Sequence, residues 1–189
     1  MSYEKIESGQ YYHIYNRGNN KENLFKEEMN YFYFLQLMER HLLPVADIFS
    51  YCLLKNHFHL FIKVKEEKEG QQFSKAYSNM CNAYAKAINK KYERTGSLFQ
   101  TRFKRNKVVE EAYMKNLIVY INLNPLYHGL TTNVYQYKHS SLQNLLFYKK
   151  SFLKCEEIWN LFGGRENFGF QLDVKKKELD SKVDEFFLE

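Results

Sequence analysis

The stretch Asn56-His57-Phe58-His59-Leu60-Phe61-Ile62-Lys63-Val64 organises the interpretation of the whole chain. Its alternation and its β-branched and aromatic residues predict a strand. Because side chains at i and i+2 point to the same side of a strand, His57 and His59 share one face, and the apolar residues share the other. Two neutral imidazoles side by side can hold a divalent metal. A bare His-x-His pair is more often a packed or solvated pair, so the rest of the chain has to decide.

Composition limits the class of protein. The chain has 189 residues, 44% of them apolar, which is enough for one folded domain with an appendage. No apolar run approaches the ~20 residues of a membrane span, and the N-terminus carries no apolar signal core. The cysteines Cys52, Cys81 and Cys155 are odd in number and widely spaced, which argues against a disulfide or zinc framework. We therefore expect a cytoplasmic protein.

Charge and aromatic content point to a polyanionic partner. The net charge is +6 and the pI is about 9.0. Sixteen tyrosines and sixteen phenylalanines accompany these charges. Aromatic rings between basic residues suit single-stranded nucleic acid, because bases stack on them. A tyrosine-rich composition imposed by an AT-biased genome is the alternative.

Periodicity and turn residues predict an ordered series of elements. They are a strand at 10–15, a helix at 27–42, a strand at 47–54, a tight turn at 55–56, the histidine strand, a helix at 73–92, an extended segment at 98–109, and a helix at 110–123 bounded by Pro125. The order β-α-β-β-α-β predicts an α+β, ferredoxin-like (split βαβ) antiparallel sheet with helices packed on it. We assign residues 1–148 to this domain. Residues 149–189, with a short helix at 151–162 and a helical tail, form a C-terminal extension of unknown role.

The helix at 110–123 carries a second candidate group. Tyr120 and Asn124 are one turn apart. A tyrosine can attack phosphate and form a covalent intermediate. An amide oxygen one turn away can complete a His-His-Asn site for Mg²⁺ or Mn²⁺. Alternatively, Tyr120 is one of sixteen tyrosines and packs in the core, and Asn124 is biased out of the helical region because Pro125 follows it.

Two other tyrosines lie near Tyr120. Tyr113 is about two turns away from it along the axis, and about three turns from Asn124, which is too far to share a metal site. Tyr127 follows Pro125 and is expected to have left the helix. Tyr120 is therefore the preferred nucleophile.

Four basic residues within six positions are candidates for holding a nucleic-acid backbone: Arg102, Lys104, Arg105 and Lys107. Strand alternation would place the first two on one face and the last two on the other. For the last two, a charged edge strand that resists aggregation is an equally good explanation. Arg17 is a weaker candidate for DNA binding. His13 is interpreted as an ordinary strand histidine rather than a partner of a metal ligand.

Four segments, in order, resemble a known family. Asn56–His59 resembles the histidine-hydrophobe-histidine signature of HUH endonucleases. Residues 120–125, followed by Gly129-Leu130, resemble the tyrosine helix of single-tyrosine transposases. Residues 96–103 and 12–18 resemble strands of the REP-associated tyrosine transposases. The resemblance covers about residues 10–142. It departs at His139, where the family often has tryptophan.

The resemblance implies a function. It implies an HUH-type ferredoxin-like fold, a Mg²⁺ or Mn²⁺ ion on His57, His59 and Asn124, and Tyr120 as the nucleophile. Such an enzyme nicks and rejoins single-stranded, hairpin-containing DNA through a 5′-phosphotyrosine, as a monomer or homodimer in the bacterial cytosol or nucleoid. Two other classes stay open. One is a catalytically inactive or domesticated single-stranded nucleic-acid-binding protein on the same fold, and the other is a metal-dependent hydrolase in which water attacks.

Overall fold

The computed structural model describes residues 5–147 and 151–187, with side chains as far as residue 179. The boundary expected between residues 148 and 149 lies outside the described residues, as do the side chains of the last ten residues of the expected helical tail. Within the described ranges, no helix combines the length and the apolar character that crossing a bilayer requires.

A four-stranded antiparallel sheet forms the centre of the molecule. Its strands are β1 (Tyr11–Arg17), β2 (Ala46–Leu54), β3 (His57–Val64) and β4 (Lys104–Val108), and their order across the sheet is β2-β3-β1-β4. Helix α1 (Glu28–Leu42) connects β1 to β2, and helix α2 (Gly70–Lys91) connects β3 to β4. The predicted ferredoxin-like α+β fold is confirmed. The predicted two-residue turn at Lys55-Asn56 joins β2 to β3.

One face of the sheet packs on α1 and α2 through aromatic side chains. Phe58, from the apolar face of the histidine strand, is fully buried, and its ring centroid lies 4.9 Å from that of Phe34 on α1. Tyr84 on α2 meets Phe34 edge-on at 5.0 Å and donates from its hydroxyl to the Leu24 carbonyl. Edge-on aromatic pairs stabilise such a core beyond their area burial. The apolar face of β3 therefore packs in the core, as its alternation predicts.

The opposite face carries helix α3 (Glu111–Tyr127), whose position is fixed by a buried polar network. Asn122 Nδ2 donates to Ser50 Oγ on β2 at 3.0 Å and to the Ile118 carbonyl at 2.9 Å. Ser141 Oγ donates to Asn122 Oδ1 at 2.9 Å and lies 2.9 Å from Ser50 Oγ. The side chains of Asn122, Ser50 and Ser141 are at most 1% exposed. Because buried polar groups are costly unless they are hydrogen-bonded, these contacts fix α3 in one position on the sheet.

Several predicted boundaries are wrong: β1 continues to Arg17 instead of ending at residue 15, and the short helix expected at 151–162 begins at Cys155. Helix α3 does not stop at Pro125 but continues to Tyr127, since the His128 N–H still reaches the Asn124 carbonyl at 3.0 Å. Proline removes one donor and crowds the carbonyl four residues earlier, so the last turn forms here because residues 121–125 are buried against the rest of the fold. The extended segment at 98–109 forms a strand only from Lys104, because residues 98–103 follow an irregular path that meets the sheet through one bridge, between Gly18 and Phe99.

The C-terminal segment packs on the rest of the chain. Helices α4 (Leu142–Phe147), α5 (Cys155–Phe162) and α6 (Arg165–Phe187) follow α3, and α4 has no counterpart in the sequence prediction. Lys154 N–H donates to the Ile48 carbonyl on β2 at 3.0 Å. Ile158, Phe162 and Phe168 are at most 2% exposed. The described part of the extension thus shares the core of the sheet domain.

Candidate active site

The site begins with the pairing of β1 and β3. Across the two strands, Arg17 is opposite His57 and Tyr15 is opposite His59. Paired residues point to the same face, so these four side chains lie together on the α3 side. They border a cleft of about 360 Å³, whose walls are formed by Tyr15, Asn16, Arg17, His57, His59, Gln100, Lys104, Tyr120 and His128. The structure therefore brings the predicted histidines and the predicted tyrosine into one concave site.

The backbone packs tightly at Gly18, the residue that follows Arg17 of the cleft. The Gly18 N–H donates to the Asn56 carbonyl at 2.8 Å, which joins the end of β1 to the turn before the histidine strand. A Cβ at position 18 would lie 2.0 Å from the Glu22 carbonyl oxygen. Only glycine fits this approach, and it places Arg17 beside the histidines.

His57 is held as a neutral ring with a defined proton. Its Nδ1 lies 2.7 Å from Asn56 Oδ1, and the same amide donates from Nδ2 to the Lys21 carbonyl at 3.4 Å. Because an amide oxygen only accepts, His57 Nδ1 must donate, and Nε2 keeps its lone pair. Burial, with His128 and Arg17 nearby, lowers the pKa of His57 to about 4. A lone pair on a neutral ring is what a metal ion requires.

His59 is more buried and is paired differently. It is 7% exposed, and its Nδ1 lies 2.9 Å from Nε2 of His13 on β1. Burial lowers the pKa of His59 further than that of His57, with His13 and His57 adding to the effect. His59 is therefore neutral at physiological pH.

Tyr120 and Asn124 stand one helical turn apart on α3, as predicted. The Tyr120 ring meets His59 edge-on at 5.8 Å and is 38% exposed, so a substrate can reach its hydroxyl. Asn124 is fully buried, and its Nδ2 donates to the Tyr120 carbonyl at 2.9 Å. A carbonyl only accepts, so the nitrogen faces Tyr120 and the orientation of the amide is fixed. Asn124 Oδ1 is buried without a hydrogen-bond partner among the described residues.

These residues fit a divalent metal. No group of three His, Cys, Asp or Glu side chains in the described part of the chain is arranged to hold an ion. The predicted set instead combines two imidazoles with an amide, and its members have the required chemistry. His57 and His59 are neutral, and Asn124 carries a buried oxygen that lacks a donor. An unsatisfied buried oxygen is costly unless something binds it, and hard cations take oxygen ligands.

The basic candidates separate into two groups. Arg17 and Lys104 border the cleft. Arg102 is exposed and precedes β4. Lys104 pairs with Tyr15, so Arg105 and Lys107, at the next positions in the alternation, point to the opposite face of the sheet. There, Arg105 lies over the Phe103 ring at 4.9 Å, and Lys107 forms an ion pair with Glu7.

Sequence reasoning missed or misplaced three residues of the site. His128 contacts His57 with a ring separation of 4.6 Å, and the available signal was its position one turn after Asn124. Tyr127 has not left the helix, and its ring lies 5.6 Å from that of Tyr120. His13 is not an isolated strand histidine, because it contacts His59 directly.

His139, where the resemblance departs, has a packing role in the structure. Its ring stacks on Tyr31 at 3.6 Å, and its Nε2 lies 3.3 Å from a Glu28 carboxylate oxygen. Its carbonyl accepts from the Leu53 N–H at 2.8 Å. This residue joins α1 to β2 and takes no part in the cleft.

Comparison with known proteins identifies the chain as a transposase. The family described as IS200-like transposases matches residues 7–124, which run from before β1 to Asn124, and the chain belongs to this family. Among solved structures, the chain is similar to one described as a REP-associated tyrosine transposase bound to a REP hairpin. The two are 16% identical with a TM-score of 0.62, over 80% of this chain and 88% of the other. Among curated proteins, no match is found.

Proposed function

We propose that this transposase nicks and rejoins single-stranded, hairpin-containing DNA through a 5′-phosphotyrosine on Tyr120, with Mg²⁺ or Mn²⁺ held by His57, His59 and Asn124. One observation carries the proposal: the Tyr120 ring lies against His59 in the cleft, while the Asn124 amide one turn later keeps a buried oxygen without a donor. Family membership supports a DNA-cleaving enzyme of the transposase class.

The chain's own residues prepare the metal site and the nucleophile. His57 directs a lone pair from Nε2, since Nδ1 donates to Asn56. Asn124 offers Oδ1, since its nitrogen is committed to the Tyr120 carbonyl. A bound divalent ion supplies Lewis-acid stabilisation of the negative charge on the scissile phosphate. The hydrogen bond from Asn124 Nδ2 to the Tyr120 carbonyl also fixes the position of the amide relative to Tyr120 on α3.

The covalent step exchanges one phosphodiester bond for another. Tyr120 Oη attacks the phosphorus, the bond from phosphorus to the 3′-oxygen breaks, and the phosphate stays on the 5′ end of one fragment. The proton lost by the Tyr120 hydroxyl is balanced by the proton that the released 3′-hydroxyl gains. Attack by a second 3′-hydroxyl reverses the step and joins a new strand. No nucleotide cofactor is consumed, because the bond energy is conserved.

The cleft has the charge that a DNA backbone requires. Arg17 and Lys104 border it, and Arg17 Nε is buried without a hydrogen-bond partner among the described residues. With the histidines neutral, these two side chains supply the positive charge. The structural neighbour was solved with a REP hairpin, which supports a hairpin substrate for this chain as well.

A doubly labelled hairpin tests the proposal. A single-stranded hairpin oligonucleotide with different dyes at its 5′ and 3′ ends is incubated with the protein and Mn²⁺ and then resolved on a denaturing gel. The 3′ dye should migrate with the protein, and the 5′ dye should be released on a fragment ending in a 3′-hydroxyl. Both dyes released from the protein would indicate attack by water instead. Binding without cleavage would indicate the non-catalytic alternative.

Three single substitutions identify the nucleophile. Tyr120→Phe deletes only the attacking oxygen, so it should bind the hairpin and form no adduct. Tyr127→Phe and Tyr113→Phe remove the neighbouring hydroxyls on the same helix and should retain the adduct. An adduct peptide that contains Tyr113 or Tyr127 and lacks Tyr120 would contradict the assignment.

A further inference from the structure

His13 and His59 form a buried histidine pair on two neighbouring strands. His13 is 6% exposed, and its Nε2 lies 2.9 Å from His59 Nδ1. The two rings are stacked, with centroids 5.1 Å apart and planes 23° from parallel. In the register, His13 is opposite Phe61 and His59 is opposite Tyr15, so the two histidines are diagonal neighbours on one face. The sheet itself therefore holds them in contact.

A hydrogen bond between two imidazole nitrogens uses one proton, so one ring donates and the other accepts. If His59 donates from Nδ1, its Nε2 has a free lone pair. If His13 donates instead, His59 carries its proton on Nε2 and cannot bind a cation there. Both rings are buried, which disfavours the charged form, so each ring has one proton to place. The direction of this single hydrogen bond decides whether His59 can be a ligand.

The neighbouring ligand histidine, His57, offers a precedent for the direction of this hydrogen bond. His57 Nδ1 donates to Asn56 Oδ1, which leaves Nε2 as its free nitrogen. The contact of His59 with His13 is made through the same atom, Nδ1. His57 and His59 therefore both direct Nδ1 into the protein. Partners that accept from the Nδ1 of a ligand histidine fix its tautomer and orientation.

We propose that His13 is a positioning residue that accepts the Nδ1 proton of His59, so that the Nε2 lone pair of His59 is available to the metal. This inference rests on the proposed function, because it assigns His59 as a ligand. His13 cannot be a ligand through Nε2, since His59 occupies that nitrogen. Tyr15 stacks on His13 at 4.8 Å and on His59 at 5.7 Å, and so restricts rotation of both rings.

Imidazole nitrogen NMR of the metal-free protein tests the proposal directly. In ¹⁵N-labelled protein at neutral pH, long-range ¹H–¹⁵N correlations distinguish the protonated nitrogen of each ring from the unprotonated one, and loss of signals in a His59→Gln variant assigns them. The wild type should show His59 protonated at Nδ1. His13→Leu, which has no acceptor, should shift protonation towards Nε2, and His13→Gln, which supplies an amide oxygen, should restore Nδ1.

Mn²⁺ titration by calorimetry gives the second measurement. The dissociation constant should rise by about ten- to a hundredfold in His13→Leu, the range expected when such a partner is lost, and recover towards wild type in His13→Gln. His41→Leu, at the end of α1, is the matched control and should leave both measurements unchanged. The dispersion of each spectrum reports whether the variant is folded.

The outcomes separate this inference from the proposed function. Protonation of His59 at Nε2 in the wild type overturns the role of His13, as does wild-type Mn²⁺ affinity in a folded His13→Leu protein. A wild-type protein with His59 protonated at Nδ1 that binds no Mn²⁺ would overturn the metal site. The role assigned to His13 in metal binding would fall with it, but the direction of the hydrogen bond would stand.

Discussion

The side-chain nitrogen of Asn124 donates to the main-chain carbonyl of Tyr120, 2.9 Å away and one turn earlier on α3. This bond leaves Asn124 Oδ1 buried without a partner in the described part of the chain. The protein with nothing bound at this oxygen therefore carries a polar group that lowers its stability. An ion, a ligand or a bound water can satisfy such an oxygen.

Asn124→Leu should separate stability from activity. The variant keeps the volume of the side chain and removes both the buried oxygen and the hydrogen bond to Tyr120. The two effects oppose each other, at about 1 kcal/mol for the bond and about 1–3 kcal/mol for the unsatisfied oxygen, so the metal-free variant should unfold at the same urea concentration as wild type or a higher one. Adduct formation with Mn²⁺ should be lost. A variant that cleaves at the wild-type rate would exclude Asn124 as a ligand.

Asn122→Leu should destabilise the protein, in contrast to Asn124→Leu, which changes a residue only two positions away. Asn122 is the centre of the buried network with Ser50 and Ser141, and its loss removes one hydrogen bond from each of their buried hydroxyls. We expect a cost of about 1–3 kcal/mol in the free energy of unfolding, measured by urea denaturation. Asn82→Leu, at an exposed position on α2, is the control and should stay within about 0.5 kcal/mol. Equal midpoints for the two variants would contradict this role of the network.

Acid should destabilise the metal-free protein through its histidines. The folded state holds the pKa of His13 near 4, against 6.5 in the unfolded chain, so the unfolded state binds more protons as the pH falls. Stability should therefore be retained above pH 6.5 and decline between 6.5 and about 4, by about 3 kcal/mol for His13. His59 and His57 act in the same direction. Urea denaturation across this range measures the decline, which His13→Leu should reduce.

Lys104 and Lys107 lie three residues apart and should differ in their effect on DNA binding. Lys104 borders the cleft, whereas Lys107 lies on the other face of the sheet and is paired with Glu7. Lys104→Ala should weaken hairpin binding and reduce the slope of log K against log salt by about 1. Lys107→Ala should leave both quantities near wild type. Fluorescence anisotropy at several salt concentrations measures them, and a wild-type slope in Lys104→Ala would show that this side of the cleft does not contact DNA.

The sequence was sufficient where a signal is local. Alternation in β3 predicts that His57 and His59 share a face, and the spacing of Tyr120 and Asn124 predicts one turn of helix between them, which the structure shows. The order of elements predicts the sheet, since few topologies accommodate β-α-β-β-α-β.

The sequence was insufficient where a contact depends on tertiary structure. His13 and His59 are 46 positions apart in the sequence with no periodic signal to relate them, and only the β1–β3 register brings the two rings together. The continuation of α3 past Pro125 depends on packing, because all residues from Ile121 to Pro125 are buried. Local rules favour a helix end there. The start of β4 at Lys104 likewise depends on which partner strand is within reach.

The attachment of α3 to its own sheet has a kinetic consequence. Asn122 connects the tyrosine helix to Ser50 of the same chain, so one copy supplies both Tyr120 and the histidines. The initial velocity of nicking should therefore rise in direct proportion to protein concentration. Two inactive variants, Tyr120→Phe and His57→Ala, should remain inactive when mixed. No active site in the mixture would then combine an intact Tyr120 with an intact His57. Recovered cleavage in that mixture would mean that the helix is exchanged between copies.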